Sequence, residues 1–298
     1  MVHNIDIKPP VRRALEGEVL EIGGFSAYRS DDAVIIDLSC PLDLDRMLGG
    51  GQCFTFGRIG GAWRGAANGR SAELSCADGR LAIRGADVRE IEQFWLPYLA
   101  LDMDYGAITA GFAGAAPALD EAVGACAGLR VLRQDPYEAL VTFILSQNNN
   151  IPRIRTMVRR VSQRYGKLLP DGQFAFPDAQ TLASAGAEDL HGLGLGYRAE
   201  YVASVCGRIA SGELGPYTLR SGLISEDECR ARLLGLPGVG PKVAACVMLF
   251  GLGFYDAFPI DVWMRRIIDE RFGGRLDTAR LSPWAGIAQQ YLFEYYRK

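Results

Sequence analysis

Lys242 is the side chain whose neighbours best suit it to act as a nucleophile. It follows Pro241 in the stretch Leu233-Leu-Gly-Leu-Pro-Gly-Val-Gly-Pro-Lys-Val-Ala-Ala. Proline suits the first position of a helix, where its missing N–H costs nothing. Lys242 therefore falls in the first turn, where the positive end of the helix dipole disfavours an ammonium group. A neutral amine can attack an electron-poor carbon and leave a Schiff base. Left charged at the surface, the same lysine would instead donate to a phosphate, and the local sequence does not separate the two. Asp261 follows Pro259 and precedes the apolar-periodic run VWMRRIIDERF. Aspartate there is a favoured helix cap, and a carboxylate facing the start of the Lys242 helix would also stabilise positive charge growing on a substrate carbon. Cys246, four residues beyond Lys242, lies one turn along the same helix face.

These residues need a hairpin to position them. A helix ending near Leu234, a glycine-rich turn and a second helix from Pro241 make a helical hairpin over residues 233–250. Gly238 and Gly240 are expected to take positive φ and to let the backbone approach another surface closely. The exposed amides around Gly238, Val239 and Gly240 would form an anion site suited to a DNA phosphate. A plain helical hairpin, or a phosphate clamp without chemistry, fits the same residues. Charge distribution adds a second hint. The net charge is −3, yet residues 151–170 carry Arg153, Arg155, Arg159, Arg160, Arg164 and Lys167 with no acidic residue. Such a run is either a basic binding face or a solvated helix surface.

The chain of 298 residues is 49% hydrophobic, enough for one large or two ordinary cores. From Glu18 to Arg84, short runs such as AVIIDL, CFTFGRI, AELSCA and RLAIRG alternate with turn pairs such as Asn68-Gly69 and Asp78-Gly79. That pattern predicts antiparallel strands and hairpins. Beyond Asp87 the apolar spacing becomes three and four, as in VREIEQFWLPYL, PYEALVTFILSQ, RIRTMVRRVSQRY and RAEYVASVCGRIA, which predicts helices. The fold class is α+β, an N-terminal antiparallel β-sheet domain with flanking helices (residues 1–125) packed on a mostly α-helical domain (126–298). Seven cysteines without a CxxC, and only two histidines (His3 and His191), argue against zinc or iron–sulfur sites and for reduced thiols. The first thirty residues are broken by Pro9, Pro10, Arg12, Arg13 and Glu16, and no apolar run approaches a membrane span. A cytoplasmic protein with no membrane association is expected.

Several segments together resemble the 8-oxoguanine DNA glycosylases of the helix-hairpin-helix (HhH-GPD) superfamily. They are LPGVGPKVA with the loop GLGFYDAFPID, GGGQCFTFGRIGGAWRG at 49–65, VLRQDPYEALVTFILSQNNNIPRI at 131–154, LGLGYRAEYV at 193–202 and AGIAQQYLF at 285–293. The resemblance runs from about Leu42 to Phe293. It implies a base-excision repair glycosylase and AP lyase that flips 8-oxoguanine out of double-stranded DNA, preferentially opposite cytosine. Lys242 would attack C1′, form a Schiff base and permit β-elimination, with Asp261 as its electrostatic partner.

The resemblance also assigns the remaining site residues. Gly51 would offer its carbonyl to the N7 hydrogen that marks oxidised guanine, although alone it reads as a turn. Cys246 and Phe293 would pack on the base, and Gln289 would read its Watson–Crick edge; Phe293 alone reads as C-terminal core. Arg153 and Arg198 would donate to the orphaned cytosine, Asn148 would fill the vacated space, and Tyr197 would wedge beside it. Without the family, Asn148 to Asn150 read as a helix end and Tyr197 as packing. Carbonyls of Leu234, Leu236 and Val239 would hold a structural cation; no catalytic metal or cofactor is implied. The enzyme would act as a monomer, at the nucleoid of a bacterium or in a eukaryotic nucleus. Trp263 departs from the pattern, which has histidine two residues after the aspartate, and this puts one phosphate contact in doubt. Glycosylases for oxidised pyrimidines or mispaired adenine share the hairpin but commonly carry an iron–sulfur cysteine run that is absent here.

Overall fold

The computed structural model describes residues 19–297. His3 and the breaks between Pro9 and Glu16 lie outside the described residues, as do the first eighteen residues of the expected sheet domain. Seven strands form one antiparallel sheet: β1 (Leu20–Ile22), β2 (Phe25–Ser30), β3 (Ala33–Asp37), β4 (Phe56–Ile59), β5 (Ala62–Ala67), β6 (Arg70–Ala77) and β7 (Arg80–Arg84). Their order is β1-β2-β3-β7-β6-β5-β4. Two-residue turns close the tightest hairpins. Both Asn68-Gly69 and Asp78-Gly79 have positive φ at each residue, the twist that suits flanking strands. Alternate residues face the core: Val34 pairs with Ile83, Ile36 with Leu81 and Leu74 with Ile83, all buried.

The strand expectation from Glu18 to Arg84 missed one element. A short helix, Leu44–Gly49, interrupts the sheet sequence between β3 and β4. The Asp43 carboxylate starts it by accepting from the Arg46 N–H at 2.9 Å, and its buried residues Leu44, Met47 and Leu48 are spaced for a helix face. CFTFGRI is correspondingly only half strand, from Phe56 on. Behind the sheet, a helical run over Val88–Glu90, Ile91–Trp95 and Leu96–Tyr98 presents Ile91, Trp95 and Tyr98, with Trp95 edge-on to Phe56 at 6.3 Å.

The rest is helical, including Pro117–Ala125, Pro136–Leu145, Ile151–Tyr165, Ala179–Gly192, Arg198–Ala210, Glu226–Leu234, Pro241–Gly251, Val262–Phe272 and Ala285–Tyr296. Every residue of Pro136–Leu145 is buried, as is all of Pro241–Gly251 after Lys242. Helices buried all round lie at the centre, and these two pack on each other. A Cβ on Gly251 would sit 2.9 Å from the Ala139 Cβ, and the rings of Phe143 and Phe250 stack 5.3 Å apart. No disulfide links the seven cysteines, five of which are buried. Among the described residues no helix is long and apolar enough to cross a membrane.

Sheet and helices meet at Glu138, buried in the central helix, whose carboxylate accepts from the Asn68 N–H in the β5–β6 turn at 2.8 Å. Burial, reinforced by the charge on Asp135, pushes this carboxyl from its ordinary 4.5 up to about 8, against the Asn68 hydrogen bond. A carboxyl raised on folding favours the native state while protonated, so its contribution is full below about 4.5 and is lost as pH rises through about 8. Glu138→Gln keeps an acceptor for Asn68 without a charge. Its thermal midpoint should rise relative to wild type between pH 5 and pH 9, by the equivalent of a few kcal/mol. Parallel midpoints across that range would show that the carboxyl does not titrate with folding.

Candidate active site

The helix start expected at Pro241 is present, and Lys242 occupies its first turn. The half-buried ammonium lies 5.4 Å from the centre of the Phe143 ring and donates to Ser146 Oγ at 3.4 Å. Phe143 is itself held between Phe250, stacked, and Phe54, edge-on at 5.7 Å. Ser146 ends the Pro136–Leu145 helix and donates to the Phe143 carbonyl at 2.7 Å. An aromatic floor and one hydroxyl thus orient the lysine, and neither Phe143 nor Ser146 stood out in the sequence.

Asp261 caps the Val262–Phe272 helix, accepting from the Met264 N–H at 2.8 Å. The other carboxylate oxygen keeps its lone pairs free of that bond. Lys242 and Asp261 both bear electrostatically on Cys246. Burial pushes its thiol up, the neighbouring Lys242 charge pulls it down, and the Asp261 charge raises it. Cys246 is thereby kept a thiol rather than a competing thiolate nucleophile.

Gly51 has φ +94°, and a Cβ there would lie 3.0 Å from Ile151 Cδ1. Its loop is pinned by the buried Gln52, whose amide donates to the Arg130 carbonyl at 2.9 Å and accepts from the Leu132 N–H at 2.8 Å. Arg297 reaches the same loop, donating to the Gly50 carbonyl at 2.7 Å while its guanidinium lies 5.1 Å from the Phe293 ring centre. Gly51 and Phe293 are therefore brought to one place by an arginine that no pattern in the sequence singled out. Gln289, buried one turn earlier, accepts from Gln290 at 2.6 Å, and its amide hydrogens have no acceptor among the described residues.

Asn148 takes a left-handed φ of +45° in the turn between helices, and Asn150 caps the next helix by accepting from the Arg153 N–H at 3.0 Å. Arg198 is buried and spends its donors on this turn: on the Gln147 carbonyl through Nε at 2.9 Å, on the Asn148 carbonyl at 3.1 Å and on the Leu195 carbonyl at 3.3 Å. Arg153 is exposed, and its guanidinium has no partner among the described residues. Tyr197 is exposed and meets Tyr201 edge-on at 5.9 Å, with the Arg198 guanidinium over its ring.

The hairpin follows expectation except at one glycine. Gly238 has φ +75°, and a Cβ there would come within 2.4 Å of the Tyr201 ring, so both conformation and contact demand glycine. Gly240 is extended, at φ −88°, with open space where a Cβ would go; as residue before the helix it needs no positive φ. The N–H groups of Gly240, Lys242 and Val243 find no acceptor among the described residues, which leaves an uncapped helix start open to an anion. Trp263 is 40% exposed and lines a groove with Arg266, Arg271, Tyr295 and Tyr296.

Comparison with known proteins matches this geometry. Residues 141–280 fit the model of the HhH-GPD superfamily of base excision DNA repair proteins, the class that the hairpin and lysine define. Residues 35–140 fit the N-terminal domain of 8-oxoguanine DNA glycosylase, and within that superfamily the chain belongs to the 8-oxoguanine DNA glycosylase family. Among solved structures, 8-oxoguanine glycosylase/lyase of Clostridium acetobutylicum, bound to DNA with cytosine opposite 8-oxoG, superposes with TM-score 0.84 at 31% identity, covering 93% of this chain and 99% of that one. MBOgg1 in complex with a low-affinity DNA ligand gives TM-score 0.86 at 31% identity, covering 92% and 98%. The N-glycosylase/DNA lyase OGG1 of Arabidopsis thaliana is 32% identical over 207 residues, which is 67% of this chain and 57% of that protein. The chain thus spans about half the length of the curated relatives it matches.

The two hairpin glycines give a direct test of the geometry. Gly238→Ala should destabilise the protein by about 1–3 kcal/mol, because it adds a left-handed φ penalty to a ring clash. Gly240→Ala should stay within about 1 kcal/mol of wild type. Denaturant titration of both variants checks this, and equal losses would show that Tyr201 does not press on Gly238.

Proposed function

We propose that this chain excises 8-oxoguanine from double-stranded DNA and cleaves the resulting abasic strand. The observation that carries the reading is a half-buried lysine at an uncapped helix start, held over the Phe143 ring and beside Ser146, with the Asp261 charge felt at the neighbouring buried Cys246 thiol. The Lys242 amine gives its electron pair to C1′, and the N-glycosidic bond breaks with its electrons leaving on the base, which takes a proton. The amine then loses protons as the sugar ring opens to the Schiff base. Loss of a C2′ proton expels the 3′ phosphate by β-elimination. Asp261 opposes the positive charge on the sugar while its other oxygen holds the cap.

The base would enter between Gly51 and Phe293, beside Cys246, with the Gly51 carbonyl receiving the N7 hydrogen and the Gln289 amide donating to the Watson–Crick edge. Arg297 lies over Phe293 and against this loop, so stacking on that face requires it to swing aside. The Gly238-Val239-Gly240 turn would seat a phosphate. The carbonyls of Leu234 and Val239 accept no backbone hydrogen bond, and that of Leu236 accepts one from Val239 at 3.1 Å. This all-oxygen set fits a hard cation that would stiffen the turn. Asn148 and Tyr197 would occupy the gap left by the flipped base. Because Arg198 is largely consumed by carbonyls, Arg153 would carry most of the recognition of cytosine. Residue 125 remains our division between sheet and helical domains, the enzyme is taken as a monomer, and its compartment is that of the DNA.

Lys242→Gln should retain duplex binding but abolish base release and borohydride trapping; efficient trapping by this variant would move the nucleophile elsewhere. Asp261→Asn should slow single-turnover excision by roughly 10²-fold or more, and an unchanged rate would reduce Asp261 to a cap. Wild type should favour cytosine over adenine opposite the lesion by about tenfold or more, since a wrong partner leaves a buried donor unpaired. Arg153→Ala should lose that preference, whereas Arg198→Ala should lower rates opposite every base by loosening the Asn148 turn. Equal wild-type rates opposite cytosine and adenine would refute the assignment.

A further inference from the structure

Away from Lys242, a cavity of about 480 Å³ opens between edge strand β4 and the Ile151–Tyr165 helix. That is a size typical of small-ligand sites. Four arginines line it, Arg58, Arg64, Arg155 and Arg159, together with the rings of Phe54 and Phe174, and no acidic side chain is among its lining residues. Two of the arginines are paired with carboxylates. Arg58 pairs with Asp45 at 2.6 Å, and Arg64 lies 3.2 Å from Glu73.

The other two have no carboxylate partner. Arg155 donates to the Leu48 carbonyl at 2.6 Å and lies over the Trp63 ring at 5.5 Å. Its Nε is buried without a hydrogen-bond partner among the described residues. Arg159, one turn further along the helix, is exposed and makes no hydrogen bond or ion pair among the described residues. Burial without a counter-charge lowers the Arg155 guanidinium from its ordinary range. A half-buried guanidinium without a counter-charge carries a desolvation cost, which an anion in the cavity would offset.

We propose that this cavity binds a phosphate group through Arg155 and Arg159, with Phe54 and Phe174 forming the wall for the sugar or base attached to it. The phosphate belongs either to a free nucleotide or to a nucleotide of bound DNA. Arg155 lies two residues beyond Arg153 on the Ile151–Tyr165 helix, so the two side chains leave different faces and a phosphate at Arg155 would be a contact separate from Arg153.

The test uses the full chain, Arg159→Ala, Arg155→Met and the charge-conserving Arg159→Lys. Calorimetric titration with inorganic phosphate and with deoxyguanosine monophosphate, at fixed ionic strength, should show saturable binding that either neutral substitution weakens tenfold or more and Arg159→Lys largely keeps. Binding to undamaged duplex is followed across salt concentrations in parallel, which makes this arm independent of excision. If the phosphate is part of DNA, Arg159→Ala should reduce the salt slope by about 1; if it is on a free nucleotide, the slope should not change while nucleotide binding is lost. Thermal midpoints of the free variants control for folding, and Arg159 is exposed enough to replace safely. The absence of saturable binding together with an unchanged slope would overturn the proposal, as would undiminished nucleotide binding in both neutral variants.

Discussion

The contact on which the rest of the structure depends is the packing of two almost wholly buried helices, Pro136–Leu145 and Pro241–Gly251, against each other through apolar side chains. Gly251 admits the Ala139 side chain so closely that no Cβ fits between them, and Phe143 stacks on Phe250 nearby. With one end of the Lys242 helix fixed in this way, its other end is fixed too, because an α-helix rises about 1.5 Å per residue. Lys242 is delivered over the Phe143 ring and beside Ser146 at the end of the partner helix. The reactive amine is therefore placed by hydrophobic packing that contains no reactive group.

Polar groups do a complementary task at the loops. Two loops around the site are tied down by buried side chains that satisfy backbone carbonyls or amides, and a third is pressed by an aromatic ring. Gln52 holds the glycine loop against residues 130–134, Arg198 holds the Asn148 turn, and Tyr201 presses on the hairpin at Gly238. Breaking such bonds in a low-dielectric interior leaves unpaired groups that cost more than the bonds contribute. Loops that would otherwise fluctuate are thus held near one geometry before any DNA arrives. The left-handed Asn148 is kept in a sparsely populated conformation by the same network.

This arrangement also distinguishes two arginines that look alike in sequence. Arg198 is buried and faces carbonyls, so it supports the turn; Arg153 projects unpaired and can meet a partner. Arg155 and Arg159, on the same helix as Arg153, point to a cavity of their own. A basic run that might have been only a solvated helix surface therefore divides into positions with separate surroundings.

Local chemistry was legible in the sequence because it depends on neighbours a few residues away. Proline before Lys242 announced a helix start, Asp261 before an apolar-periodic run announced a cap, and Asn68-Gly69 and Asp78-Gly79 announced tight hairpins. The ordered motifs announced the family, which the matches over residues 35–280 bear out. The short Leu44–Gly49 helix carried its own signal in Asp43 and in the spacing of Leu44, Met47 and Leu48, masked by the strands around it. The extended φ of Gly240 was also signalled, by the proline after it at a helix start, whereas the Arg297 contacts with Phe293 and Gly50 carried no signal. Those, like the Phe143 floor beneath Lys242 and the consumption of Arg198 by carbonyls, join residues tens to hundreds of positions apart. Only the packed chain decides them, because a side chain's partners are set by which helix faces are buried together and not by its place in the sequence.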